Sequence, residues 1–457
     1  MRLDFADNLQ NKEDGEMLLE FRTSNYKSFK DEMVFSLIPA PKQKGLDYSI
    51  LHEFVEKKEY KGLSSAVIYG PNASGKTNII GAMDAFKCIV QRGHIRNADE
   101  KNSPNTAAGV LELIPNNSLN SVKPVCFGIK FIAEGLLVEY SFAASIGVFL
   151  DSEYTRRITS ETLNINNTLV FSRGEELEFG DLNSIKDYLL NAFEQYAESA
   201  KALATSSLDD EELFLMNGFK NMFSSKLVSV IIDWIEKKLM VVYRADALHL
   251  IRKFSDPKKD SVYIEKTLNE AAAQFGINSN ALGYLVDGDS NEVKLCSLFQ
   301  NDGKNMAVPA ELFESYGTIR FVNMFPLVVN ALLNGGTLVV DEFDASIHPM
   351  ALMNIINIFH NDEININNAQ LVFNTHNPIF LNYNLYRRDE IKFVERDEDT
   401  HYSFHYSLSD FGTAGSSGVR KNEDYMKNYF VDHYGAIRDI DFTSLFETLL
   451  EERGVKQ

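Results

Sequence analysis

Three short stretches hold residue types whose order can perform phosphoryl chemistry. Gly70-Pro71-Asn72-Ala73-Ser74-Gly75-Lys76-Thr77 has the spacing G-x-x-x-x-G-K-[ST], in which Gly70 and Gly75 let backbone N–H groups curl round phosphate oxygens at the start of a helix. Asn72, Ala73 and Ser74 complete the curl. Lys76 is placed to reach the β and γ phosphates of a bound nucleotide, and the Thr77 hydroxyl to ligate Mg2+. A phosphate loop by itself does not separate kinases, GTPases and ATPases, but a second stretch does. Asp341-Glu342 follows directly on an apolar run, which sets two carboxylates at the carboxyl end of a sheet strand, where such folds bind ligands. Asp341 suits the Mg2+ shell, and Glu342 suits the general base that polarises water for ATP hydrolysis. The third stretch, Phe373-Asn374-Thr375-His376, brings an imidazole out at the same sheet edge, able to hydrogen-bond the γ-phosphate or the attacking water.

Each stretch is flanked by the elements it needs. Ser65-Ala66-Val67-Ile68-Tyr69, Gly336-Thr337-Leu338-Val339-Val340 and Gln370-Leu371-Val372-Phe373-Asn374 read as strands buried on both faces of a parallel sheet. Residues 78–92 and 349–360 carry apolar positions at helical spacing, so strand, loop and helix alternate as in an α/β fold. Met17 to Leu37 reads as a hairpin at a sheet edge, and residues 124–144 as a second hairpin turning at Glu134-Gly135. Between them and the last third, Ile185 to Tyr196 and Leu227 to Ile235 recur at steps of three and four. The division that follows is a flexible extension over 1–16, one α/β domain split into 17–150 and 305–457, and a mainly helical insertion over 151–304.

The whole chain of 457 residues carries a net charge of −20, which excludes a broadly cationic nucleic-acid coat. Apolar residues make up 44%, ample for a packed core and too many for global disorder. Cys88, Cys126 and Cys296 stand far apart, with neither a metal-binding pair nor a disulfide framework, as suits a reducing cytoplasm. No run approaches the roughly 20 consecutive apolar residues of a membrane span, and the acidic start is unlike a signal peptide, so no membrane partner is expected.

Taken together, Asn25-Tyr26-Lys27-Ser28-Phe29, the loop at 70–77, Asp341 to Pro349 and Asn374-Thr375-His376 resemble the ABC-type ATPase heads of the chromosome-maintenance and double-strand-break-repair ATPases. The resemblance implies an α/β head with a mixed, largely parallel sheet and an antiparallel β subdomain, using ATP and Mg2+. It implies that His376 is a switch histidine and that Asp344-Ala345-Ser346 crosses a dimer interface. It also implies that Ser315 and Gly317, in Glu314-Ser315-Tyr316-Gly317-Thr318, contact the γ-phosphate held by a partner subunit, so that hydrolysis needs a homodimer or higher homo-oligomer. Such heads carry a glutamine loop as well; Gln91 sits at a helix end, and no glutamine is assigned to that role.

The compact insertion and the segments 385–398, 407–411, 419–421 and 434–437 are more similar to the small ATPases of abortive-infection and anti-phage operons, of the RloA and AbiLi kind, with PARIS-system ATPases as relatives. Only 81 residues follow His376, without the carboxylate cluster of a Toprim nuclease. The implied role is therefore a nucleotide-driven sensor or scaffold that controls a separately encoded effector, such as a nuclease, on meeting a phage-derived trigger. The alternative is a RecF-like repair ATPase that closes on DNA, with Arg156-Arg157, Lys237-Lys238 and Lys258-Lys259 as candidate contacts.

Overall fold

The computed structural model describes residues 15–96, 111–244, 262–274, 281–286, 293–413, 418–438 and 441–452, apart from 42, 44, 119, 152, 153, 192, 265, 302 and 421. Most of the proposed 1–16 extension and the pair Lys258-Lys259 lie outside the described residues. The chain is α/β. Its central sheet has six strands in the order Leu239–Val242, Thr337–Val340, Gln370–Asn374, Ser65–Tyr69, Ile391–Arg396 and Ser403–Ser407. The first five are parallel and the last is antiparallel.

The three expected strands are apolar throughout because both faces are covered. Ala66, Ile68, Val339 and Val372 point into one core with the helix Lys76–Arg92, while Val67, Tyr69, Leu338, Val340, Leu371 and Phe373 point into another with the helices Tyr316–Asn334 and Pro349–His360. On the far side of helix Lys76–Arg92 lies a seven-stranded antiparallel sheet, ordered Leu177–Phe179, Thr168–Arg173, Arg157–Ile165, Leu136–Ser145, Val125–Ala133, Met17–Ser24 and Met33–Ser36. Phe86 of the helix stacks on Phe142 of that sheet at 5.7 Å and meets Phe21 edge-on at 5.9 Å. The helix is thus clamped between two sheets, and the loop at its start is fixed with it.

The hairpin Val125–Ser145 turns at Glu134-Gly135, both with left-handed backbone (φ 47° and 72°), which gives the twist two long strands need. A division at residue 150 does not separate the sheets, because Arg157–Ile165 pairs directly with Leu136–Ser145. Within 151–304 the helices Phe193–Ser206 and Ser225–Asp233 occupy the middle, and strands stand on either side. One of these, Leu239–Val242, joins the central sheet, and Val262–Tyr263, Ala281–Val286 and Val293–Asn301 build a four-stranded antiparallel sheet with Lys304–Pro309.

Gln370, fully buried, pins three layers. Its Oε1 accepts from the Leu18 N–H (2.6 Å) and the Thr337 hydroxyl (2.9 Å), and its Nε2 donates to the carbonyls of Leu18 (3.0 Å) and Leu63 (2.8 Å). Among the described residues one helix, Tyr316–Asn334, is long and apolar enough to cross a membrane by length and composition. Here it packs on the strand Thr337–Val340 and buries Arg320, Phe321, Val322, Met324, Val328 and Ala331.

Candidate functional site

The carboxyl ends of four parallel strands converge on one edge. Tyr69 leads into the loop 70–77, Val340 into Asp341-Glu342, Asn374 into Thr375-His376, and Val242 into Tyr243-Arg244. A cleft of about 480 Å3 opens there, lined by Asn72 to Asn78, Glu342, His376, Lys27 and Ser28 among others. Gly75 takes a left-handed φ of 112°, and a Cβ there would meet the hydroxyls of Ser403 (2.5 Å) and Ser28 (2.8 Å), so the loop turns against a strand start and a turn where only glycine fits. Gly70 makes a similar close approach to the Val394 carbonyl. Ser403 also donates from its hydroxyl to the Ser74 carbonyl (2.5 Å), locking the curl from behind.

Inside the loop Lys76 is buried and folds back, donating to the carbonyls of Gly70 (2.7 Å) and Pro71 (3.0 Å). Burial pushes its ammonium down to about 8, although Glu342 and Asp341 pull the other way. The Ser74 hydroxyl is buried beside Gly70 without a hydrogen-bond partner among the described residues.

Across the cleft the polar side chains form one connected chain. Thr77 Oγ1 donates to Asp341 Oδ1 (3.0 Å), and Asn374 Nδ2 donates to the same oxygen (2.6 Å). Asn374 Oδ1 in turn accepts the backbone N–H of Glu342 (2.5 Å). Glu342 has left-handed backbone, φ 51°, and its carbonyl accepts from the guanidinium of Arg320 at 2.5 Å. The peptide that carries the carboxylate is therefore held on both sides. His376 stands at the mouth of the cleft, where burial and the nearby Lys76 charge hold its imidazole below the ordinary histidine value and so favour the neutral ring. Beside it, Thr375 donates to Asp344 Oδ2 (2.6 Å), and burial pushes the Asp344 carboxyl up.

A hydroxyl and a carboxylate, both oxygen donors, fit a hard cation that keeps most of its water and shares phosphate ligands. Thr77 and Asp341 are the residues that would hold Mg2+. Among the described residues no group of three or more His, Cys, Asp and Glu could form an all-protein metal cage.

Ser315 and Gly317 are not brought to this cleft. Ser315 caps the helix Tyr316–Asn334, its Oγ accepting from the Thr318 N–H (3.1 Å), and Gly317 lies against the carbonyl of Ser346 so tightly that no Cβ would fit. Ser315 is exposed and Gly317 half-buried against Ser346 of the segment Asp344-Ala345-Ser346, both outside the cleft lining. Gln91 lies at the end of helix Lys76–Arg92, away from the strand ends; the strand flanking Thr337–Val340 ends instead in Tyr243-Arg244. Of the described basic pairs, Arg156 donates to the Ile95 carbonyl and Lys238 pairs with Glu16 at 2.9 Å, whereas Lys237 pairs with Asp233 at 2.9 Å on the exposed face of its own helical turn and Arg157 is exposed.

A family model described as "AAA domain, putative AbiEii toxin, Type IV TA system" matches residues 65–382, from the first buried strand to just past His376. The chain belongs to this AAA-domain family. No curated protein matches it. Solved structures similar to this AAA-domain chain include an SMC head bound to the C-winged helix domain of ScpA, 11% identical over 86% of this chain and 97% of that one, with a TM-score of 0.38. The SMC head domain from Thermotoga maritima is 12% identical over 85% and 98%, with a TM-score of 0.33. An Smc head with an extended coiled coil, bound to the C-terminal domain of ScpA derived from Pyrococcus furiosus, is 12% identical over 86% and 96%, at 0.36.

The sequence reading of this AAA-domain site left out Arg320 and gave Asn374 no part of its own. The only signal for Arg320 was a lone cation in an otherwise apolar helix. For Asn374 it was a polar residue ending a buried strand, which has to be bonded to something.

Proposed function

We propose that the chain binds and hydrolyses ATP in this cleft and acts as a nucleotide-driven sensor or scaffold in bacterial anti-phage defence, controlling a separately encoded effector. The observation that carries the catalytic part is the hydrogen-bonded chain Thr77–Asp341–Asn374–Glu342, which ties the phosphate loop to a carboxylate able to act as a base. Backbone N–H groups of 72–77 and the Ser74 hydroxyl take the phosphate oxygens. Lys76 exchanges its two carbonyl partners for phosphate, and the anion restores full charge to its ammonium. When bound, Mg2+ neutralises charge on the β and γ phosphates. Glu342 accepts the proton of the attacking water, and neutral His376 hydrogen-bonds that water or the γ-phosphate.

Ser315 and Gly317 act on ATP held by a second copy, so each site is completed across a homodimer. Their position outside the cleft lining of their own chain supports this division of labour. The family's description names a toxin–antitoxin setting, which supports a defence role with an effector and a phage-derived trigger as partners. Steady-state ATP hydrolysis across a range of protein concentration tests the reading: the specific rate rises with concentration, and Glu342→Gln abolishes turnover while ATP still binds. A rate per chain that is flat with concentration removes the composite site; turnover retained by Glu342→Gln removes the assigned base. For the defence role, cells carrying the operon resist phage and Lys76→Ala removes the resistance.

A further inference from the structure

The cleft has a second end that phosphate chemistry does not use. Beyond the loop its wall turns apolar at Ile114, Pro115 and Phe149, with the cation Arg396 alongside. Phe149 is 40% exposed at the tip of the turn joining two long strands of the antiparallel sheet. Its ring lines the same cleft as the phosphate loop and the carboxylate of Glu342.

The backbone of that turn is braced on both sides of Phe149. Gly147 is left-handed (φ 85°), and a Cβ there would lie 2.8 Å from Tyr154 Cβ. Ser145 Oγ and Tyr154 OH share a hydrogen bond at 2.8 Å, and the Asp151 N–H donates to the Val148 carbonyl at 3.1 Å. The opposite wall is equally fixed. The Ile114 carbonyl accepts from the Lys27 N–H (3.0 Å), and Asn116 donates from its side chain to the Lys27 carbonyl (2.7 Å). The next residue of that turn, Ser28, accepts from Asn78 Nδ2 (2.7 Å), one residue past the phosphate loop. The Ile114 wall is therefore linked by hydrogen bonds to the start of the helix that follows the phosphate loop.

We propose that Phe149, with Ile114 and Pro115, forms the subsite for the nucleotide base, the purine ring stacking on Phe149 while the phosphates lie in the loop. A planar, weakly polar ring joined to a triphosphate is the ligand that matches one apolar and one anion-binding end of a single cleft. The assignment rests on the ATP reading above, and the test separates the two.

Calorimetric titration of the full chain with Mg2+ present compares ATP with inorganic tripolyphosphate, which carries the anion and no base. Phe149→Ala weakens ATP binding about 5- to 100-fold and leaves tripolyphosphate binding unchanged. Phe149→Trp keeps ATP affinity, and its new indole fluorescence responds to ATP and not to tripolyphosphate; Trp234, the natural tryptophan, is buried elsewhere. Leu150→Ala, at a neighbour that is 84% exposed and outside the cleft lining, changes neither ligand. Unchanged ATP affinity in Phe149→Ala, or an equal loss for both ligands, overturns the base subsite. Tripolyphosphate binding as tightly as ATP to the natural chain overturns it too while sparing the phosphate loop, whereas a natural chain that binds neither ligand overturns the ATP reading with it.

Discussion

Glu342 owes its position to neighbours more than to its own side chain. Asn374 holds its N–H and Arg320 its carbonyl, and between them the residue keeps a left-handed φ of 51° that a glutamate does not adopt freely. Removing the Asn374 amide releases one side of this peptide and also one partner of Asp341 Oδ1. Asn374→Ala is therefore expected to lower the turnover number about 10- to 100-fold, the usual effect of losing a residue that orients a catalytic or metal-binding group. ATP affinity should move far less, because the loop 70–77 is untouched; equal losses in binding and turnover would mean that Asn374 acts on the loop. The pH profile carries a second expectation. Burial and the Lys76 charge disfavour the imidazolium of His376, so the ring stays neutral at pH values where a free histidine is already protonated. At low ATP, where kcat/KM reports the free chain, the rate should pass level through the ordinary histidine range and fall only in more acid solution. An acid limb centred at or above that range contradicts a neutral His376.

Arg320 reaches Glu342 from the first turns of the helix Tyr316–Asn334, whose cap is Ser315. The element that carries Ser315 and Gly317 thus also grips the peptide of the proposed base, and a shift of the helix start has to move that grip. Arg320→Met should keep ATP binding and reduce turnover at least about tenfold, with Arg320→Lys intermediate; measured turnover equal to the natural chain's would reduce the contact to packing. Gln370 is the corresponding pin for stability. Gln370→Ala leaves buried backbone and hydroxyl groups of Leu18, Leu63 and Thr337 without partners, at a cost of about 3 to 5 kcal/mol that a denaturant midpoint would register. These elements divide sharply in how far they can be read from sequence. The strand Ser65–Tyr69 was legible because Val67 and Ile68 face different cores, which forces an unbroken apolar run. The strand Arg157–Ile165 was not, since Thr159, Ser160, Glu161 and Thr162 put four polar residues in a row, whether exposed, half-buried or buried, and hide the alternation, so it fell within the stretch expected to be mainly helical. Leu239–Val242 hid behind the helical spacing that precedes it. Phe149 and Arg320 carry no motif, because their meaning lies in what stands across from them in space.

At the scale of the whole molecule, the loop with Asp341, Glu342 and His376 stands at the strand ends, while Ser315 and Gly317, proposed to act on a partner's ATP, lie outside that cleft. If two chains pair so that the loop of each meets the Ser315 of the other, two inactive variants can restore each other. Lys76→Ala ruins the loop, and Ser315→Arg, at the exposed cap of a helix, ruins its complement without crowding the core. Neither variant alone should hydrolyse ATP, since every pair it forms contains two defective composites. In an equimolar mixture that exchanges freely, about half of the pairs are mixed, and each mixed pair has one intact composite, formed by the loop of the Ser315→Arg chain and the Ser315 of the Lys76→Ala chain. The expected specific activity is about a quarter of the natural protein's, appearing only after subunit exchange and rising with total concentration. A mixture as inactive as its components places Ser315 outside the reacting site. Full activity in Ser315→Arg alone means that hydrolysis does not use Ser315.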